Sequence, residues 1–210
     1  MLFFNIIYSV LLYALFGVIH SVLASEIVKK RLLLWLGDKI AFYRLGYNII
    51  SISAIYFIWD LLPDLTMVVY DLPYPYDLAV FVVQMLGLAG FLWAGKYFCL
   101  KEFLGISQIE RWLTGIYDMS QLDENLTFRT EGPYKFSRHP VYFFCIVMLL
   151  ARPFMDLQYL IFSICTAIYF YIGTYFEEKK LLNKFGNDYL DYSSKVARII
   201  PYKIIRGKSE

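Results

Sequence analysis

Long apolar runs separated by short polar stretches set the pattern of this chain. Five stand out: residues 1–24, 40–62, 78–100, 139–154 and 157–176. A helix of about 20 residues crosses a hydrocarbon core, so most of these runs are long enough to span a bilayer. The fourth is shorter and is parted from the fifth only by the residues around Arg152, Pro153 and Asp156. Proline lacks an amide proton and clashes with the preceding helical turn, so a helix ends there. The pattern predicts an all-α, polytopic membrane helix bundle of about five transmembrane helices, the fourth and fifth forming a helical hairpin. Beyond the fifth run the sequence becomes mixed, "FEEKKLLNKFGNDYLDYSSK". Gly186 is placed to stop a helix, and Asn187 to cap a short cytoplasmic C-terminal helix carrying Tyr189 and Tyr192.

Composition strengthens this reading. Hydrophobic residues make up 59% of the 210, aromatic residues 20%, and mean hydropathy is +0.52. Soluble domains usually hold about 45–50% apolar residues. The first run has no basic residue before it and no small-x-small cleavage site after it, so it is expected to be a retained helix and not a signal peptide. Gly17, Ser21 and Ser25, and likewise Gly90 and Ala94, recur at four-residue spacing. Such faces let helix backbones approach closely in lipid. His20, one turn from Gly17, is expected to be a satisfied intramembrane hydrogen-bonding group.

Charge adds a direction. Of the 20 lysines and arginines, all but Arg44 and Arg152 fall after the first run, between the third and fourth, or in the tail. The segment between the second and third, "DLLPDLTMVVYDLPYPYD", contains none. The positive-inside rule then places the amino terminus outside and the carboxyl terminus in the cytoplasm. Arg152 is expected to snorkel to the outer interface. Three cysteines in or beside apolar runs give no disulfide framework, and two distant histidines make no metal site. Phosphate-cradling, nucleophile-elbow and dinucleotide motifs are missing, and so is the internal repeat of transporters. The bilayer is an expected partner; nucleic acid is not.

The chemistry-bearing residues collect in the last eighty positions. "GPYKFSRHPVY" precedes the hairpin, and "EEKKLLNKFGNDYLDYSSKVARIIPY" comes after it. Adjacent helical residues point about 100° apart, so Glu177 and Glu178 can address different neighbours. Alone, the pair reads as a solvated helix end. Together the two segments resemble the integral membrane methyltransferase superfamily, which includes isoprenylcysteine carboxyl methyltransferases and phospholipid N-methyltransferases. Its pattern is matched here by Gly132, Pro133, Tyr134, Arg138, His139, Pro140 and Tyr142. After the hairpin the match continues with Glu177, Glu178, Leu181, Phe185, Gly186, Tyr189, Tyr192, Ile200 and Pro201. "LFGVIHSVLASEIVKKRL", "FLGISQ" and "LTFRTEGPY" resemble the branch containing methanethiol S-methyltransferases, and also accessory membrane proteins of nitrite and nitric oxide metabolism. Phe143 departs from the pattern, where many members carry glycine.

The resemblance implies an S-adenosylmethionine-dependent methyltransferase with its cofactor bound in residues 127–210, behind an N-terminal transmembrane region of residues 1–126. It implies cofactor contacts from Tyr134, Arg138, His139, Pro140, Tyr142, Glu177, Glu178 and Tyr189. Physical chemistry is compatible with that set: rings suit adenine or a sulfonium, and carboxylates suit ribose hydroxyls or an ammonium. Pro140 would open the fourth span where no intrahelical bond is lost. The acceptor is expected to be a small thiol or a lipid-soluble molecule of the isoprenylcysteine type. Arg44, on the cytoplasmic side of the second span, is the catalytic candidate that would hold an anionic acceptor. Phe143 and Phe144 would crowd a wide lateral opening, which favours the small thiol. The alternative is a non-enzymatic membrane scaffold of the accessory type.

Overall fold

The computed structural model describes residues 1–97, 99–119, 122 and 127–203. It has helices α1 Leu2–Ala24, α2 Glu26–Leu36, α3 Tyr43–Leu61, α4 Tyr76–Gly95, α5 Leu100–Leu104, α6 Ile106–Leu113, α7 Pro140–Leu150 and α8 Leu157–Lys195. Short 3-10 turns cover Gly37–Phe42 and Gly132–Lys135, and two strands, β1 Val68–Asp71 and β2 Phe154–Asp156, form the only sheet among the described residues. Among the described residues, four stretches are long and apolar enough to cross a membrane: Leu2–Ala24, Glu26–Leu61, Tyr76–Gly95 and Leu157–Lys195. Their large apolar side chains point outward, as at Phe4 (75% exposed) and Phe57 (62%). Lipid takes the place of a protein core around them, and the molecule is a multi-pass, all-α membrane protein.

The expected fourth span is the exception. α7 has 11 residues, so it rises about 17 Å, short of a hydrocarbon core of about 30 Å. Pro140 starts it, and the chain leaves helical geometry at Ala151. The connection from α7 to α8 is more than a bare turn. β2 pairs antiparallel with β1, Val68 opposite Asp156 and Asp71 opposite Phe154, and Leu72 N–H donates to Pro153 O at 3.0 Å. Backbone groups freed by the break at Pro153 thereby find partners, as they must near lipid.

Two units are distinguishable. The first contains Met1–Pro63 and the described residues of Cys99–Leu126. Ser25 ends α1 and caps α2, accepting from Val28 N–H at 3.4 Å. His20 meets Ser51 Oγ at 2.9 Å and Tyr47 Oη at 2.6 Å, so both ring nitrogens are satisfied between α1 and α3 as expected. Arg44 donates through Nε to Phe103 O at 3.0 Å and lies over the Tyr47 and Phe103 rings.

The second unit contains the described residues of Asp64–Phe98 and Thr127–Glu210. Its centre is the packing of α4 on α7. Gly87 lies against the Met148 backbone and Gly90 against the Phe144 ring, with no room for a Cβ at Gly90. Phe144 is thus a knob on α4. Asp156 caps α8 by accepting from Tyr159 N–H at 2.8 Å, and the Arg152 guanidinium stacks on the Tyr159 ring at 3.9 Å. Gly186, at φ 55 and ψ −125, interrupts α8 where the sequence expected a stop. Only glycine enters that region without a Cβ penalty. The segment beyond it carries the buried Tyr189 and Tyr192.

Candidate functional site

The site is built where two distant segments of the second unit meet side by side. Residues 137 and 197 form an isolated parallel bridge. Arg138 N–H donates to Ala197 O at 2.9 Å, and His139 N–H to Arg198 O at 3.1 Å. Ser137 Oγ also donates to Arg198 O at 3.1 Å. Lys203 folds back to donate to Ser194 O at 2.7 Å and Ser193 O at 3.3 Å, closing the last carbonyls of α8. Residues 196–203 thus form a strap across the start of α7. The strap holds Arg138 and His139 by their backbones, which leaves both side chains for the carboxylates of α8.

Those carboxylates are the adjacent pair Glu177 and Glu178. His139 is 5% exposed, with Nδ1 at 3.3 Å from Glu177 Oε2 and Nε2 at 3.2 Å from Glu178 Oε1. A neutral imidazole has one donor and one acceptor, whereas a carboxylate only accepts. Two carboxylates, one at each nitrogen, are fully answered only by the imidazolium. Burial alone would lower the pKa of His139, but the two carboxylates outweigh it and hold the pKa above its usual value. Glu178 is the hub: Arg138 Nη2 reaches Oε1 at 3.2 Å and Arg198 Nη2 reaches Oε2 at 3.2 Å. Three cationic groups therefore converge on one carboxylate that is 12% exposed. Glu177 differs. It is 43% exposed, and both of its described bonds, from His139 and from Tyr142 Oη at 3.3 Å, use Oε2.

Rings line this cluster. Tyr142 stacks on His139 at 5.5 Å and on Phe170 at 4.6 Å, so its ring is held within the protein and its hydroxyl aims at Glu177. Burial, helped by the nearby Glu177, raises the Tyr134 phenol, which stays neutral. Tyr192 Oη donates to Tyr134 O at 2.7 Å. Phe128 packs on Phe185, Tyr189 and Tyr192. Gly132, at φ 56, lets the chain turn against the Tyr97 ring where a Cβ would collide. Two buried polar atoms in this region have no hydrogen-bond partner, Arg138 Nε and Tyr189 Oη. Buried polar groups are nearly always paired, so such atoms mark places where a ligand can bond.

A cavity of about 1020 Å³ opens beside the cluster, between α7, α8 and the strap. Phe143, Ile146, Val147 and Leu150 of α7 form its apolar wall, and Tyr171 of α8 faces them. Arg138, Arg198 and Lys203 also line it. This volume is at the upper end of the about 300–1,000 Å³ typical of small-molecule pockets.

Of the residues expected from sequence, Arg138, His139, Tyr142, Glu177 and Glu178 come together in direct contact. Pro140 starts α7 beside them, and Tyr134 and Tyr189 stand in the surrounding aromatic shell. Arg44 belongs to the first unit. Sequence reasoning missed Arg198, the strap and the tyrosine at position 171. The available signal for Arg198 was its place just before the Ile200-Pro201 closure, but nothing in spacing says that this segment lies against His139.

The chain is similar to methanethiol S-methyltransferase 1 of Bradyrhizobium diazoefficiens, 32% identical over 94% of this chain and 67% of that protein. It is 30% identical to the methanethiol S-methyltransferase of Pseudomonas deceptionensis, over 92% of this chain and 71% of the relative. The methanethiol S-methyltransferase of Mycobacterium tuberculosis is 26% identical over 94% and 78%. No protein-family profile and no solved structure matches.

Proposed function

The chain belongs to the methanethiol S-methyltransferase-like branch of the membrane methyltransferases, and from that membership we propose that it methylates a small thiol with S-adenosylmethionine. The observation that carries the reading is the charge cluster on α7, α8 and the strap, flanked by two unpartnered buried polar atoms and a large cavity. These residues fit the cofactor. Glu177, half open with Oε1 turned from its described bonds, suits ribose hydroxyls or the ammonium. Arg138 Nε and Tyr189 Oη offer the hydrogen bonds they lack inside the protein. Tyr134 supplies a ring edge or face, and Tyr142 and His139 hold Glu177 in position. Glu178 is consumed by its three cations, so its role is to keep the wall rigid.

When bound, S-adenosylmethionine supplies a methyl group already activated on a sulfonium. The protein then has to align the acceptor and keep water out, which is where most of the acceleration of such a transfer arises. The apolar wall of the cavity does both for a small apolar thiol. The proposed orientation keeps the amino terminus outside, with residues 127–203 carrying the cofactor site at the cytoplasmic face. Arg44, the acceptor candidate expected from sequence, lies in the first unit and is not given the acceptor in this reading.

The test is calorimetry of the purified protein with S-adenosylmethionine, followed by transfer of labelled methyl to methanethiol in competition with a prenylated cysteine. Cofactor binding and preferred labelling of the thiol are expected. A protein that binds no cofactor leaves the accessory-scaffold reading in its place, and a preference for the prenylcysteine changes the acceptor alone.

A further inference from the structure

The cavity between α7, α8 and the strap has a one-sided charge. Among the described residues its lining contains Arg138, Arg198 and Lys203 and not one carboxylate, while the remainder is aliphatic or aromatic. Glu178 lies behind Arg138 and Arg198 and answers one charge of the three. The described bonds of Lys203 go to carbonyl oxygens, and the side chain of Arg198 is one-third exposed. The described ionisable groups facing this space are therefore the three cations and the phenols of Tyr171 and Tyr202. A sulfonium is repelled by such an end. An anion with a small apolar body is attracted to it.

We infer that Arg198 and Lys203 form the site that ionises the acceptor, holding its sulfur as a thiolate before methyl transfer. The inference rests on the thiol reading proposed above. An aliphatic thiol is mostly protonated at neutral pH, and the thiolate is the nucleophile. An opposite charge within a few ångströms lowers the pKa of an acid by about 1–3. The balance of the step is simple. The thiol gives its proton to solvent, and the thiolate sulfur forms the new bond to the methyl carbon. The carbon–sulfur bond of the sulfonium breaks, and its electron pair stays on the sulfur it leaves. Anion and cation cancel, so the transition state carries less charge than the reactants. Cations around the thiolate thus do not speed the transfer itself; they set the fraction of acceptor that is ionised. Removing one should lower kcat/KM for the thiol at neutral pH and leave the rate at alkaline pH nearly intact.

The experiment titrates carbon-labelled methanethiol on the detergent-solubilised protein by NMR, with S-adenosylhomocysteine present, and repeats it on Arg198→Gln, Lys203→Gln and Arg198→Lys. Circular dichroism of each variant serves as the folding control. The wild-type protein should hold the thiol at an apparent pKa about 1–3 below its value in buffer. Each glutamine variant should move it back toward that value, with Arg198→Lys retaining most of the shift. The kcat/KM lost by Lys203→Gln at neutral pH should return as pH rises, which a merely structural defect would not do. A thiol that titrates on the wild-type protein as it does in buffer overturns the inference. So does a variant series that weakens S-adenosylhomocysteine binding without moving the thiol, which would give these cations to the carboxylate of the cofactor. In either case labelled-methyl transfer by the wild-type protein still stands or falls separately.

Discussion

Glu177 and Glu178 are neighbours in sequence with unlike surroundings. Glu178 is nearly enclosed and faces three cations, so Glu178→Ala takes the shared anion from two guanidinium groups and leaves the His139 imidazolium with Glu177 alone. Breaking a buried pair on one side costs about 3–5 kcal/mol. Glu177 is 43% exposed, and its loss should cost about 1 kcal/mol or less of stability while weakening cofactor affinity about ten- to a hundredfold. Thermal unfolding and calorimetry on the two alanine variants separate the roles; equal melting temperatures would refute the assignment of Glu178 as the hub. His139 adds a pH dependence. Its folded pKa lies above the ordinary value of 6.5, so its stabilisation is complete below that value and is lost as pH rises through the folded one. The melting temperature should fall on going from mildly acidic to alkaline pH, and His139→Asn should flatten that slope. An unchanged slope in the variant would show that another group titrates. The residues of this cluster were legible because a family pattern marks them. Arg198 was not, since its place depends on a backbone pairing across some sixty residues that no local periodicity records.

At the scale of elements, helices α1, α3, α4 and α8 were readable from their apolar runs, and even the interruption at Gly186 was foreshadowed by glycine after a last turn. The strands were not. "MVVYD" and "PFMD" are too short to show an alternation, and each is extended only because the other is there. A disulfide is the direct check: Val68→Cys with Asp156→Cys should cross-link under mild oxidation, because opposed residues of an antiparallel pair lie about 4.5–5.5 Å apart at Cα. No cross-link would mean the pairing is wrong. The Gly186 position has open space for a Cβ, so Gly186→Ala is penalised by backbone conformation alone, about 1–3 kcal/mol. Gly90→Ala is a different case, since its methyl group meets the Phe144 ring. That overpacking should cost about 1–3 kcal/mol, and Phe144→Leu in the same chain should recover part of it.

For the whole molecule, hydropathy and charge together define a membrane protein, and the proposed sidedness comes from where the lysines and arginines are missing. A cysteine placed at Tyr74 should react with a membrane-impermeant reagent from outside, and one at Thr127 should not. The reverse pattern would invert the topology. The fourth apolar run was read as the short one, and its helix is shorter still, 11 residues, because composition records how apolar a run is and not where Pro140 and Pro153 limit its helix.

The strap has a consequence for biosynthesis. Arg138 and His139 leave the ribosome about sixty residues ahead of Ala197 and Arg198, whose carbonyls hold them. Until that later segment arrives, Glu178 lacks one of its cations and the amides of Arg138 and His139 lack their acceptors. No nascent form stopped short of residue 198 can complete the pocket, however well its helices have inserted. Maturation of the site is thus timed by translation, and a ribosome stalled in the coding stretch for α8 would leave an inserted but unfinished enzyme.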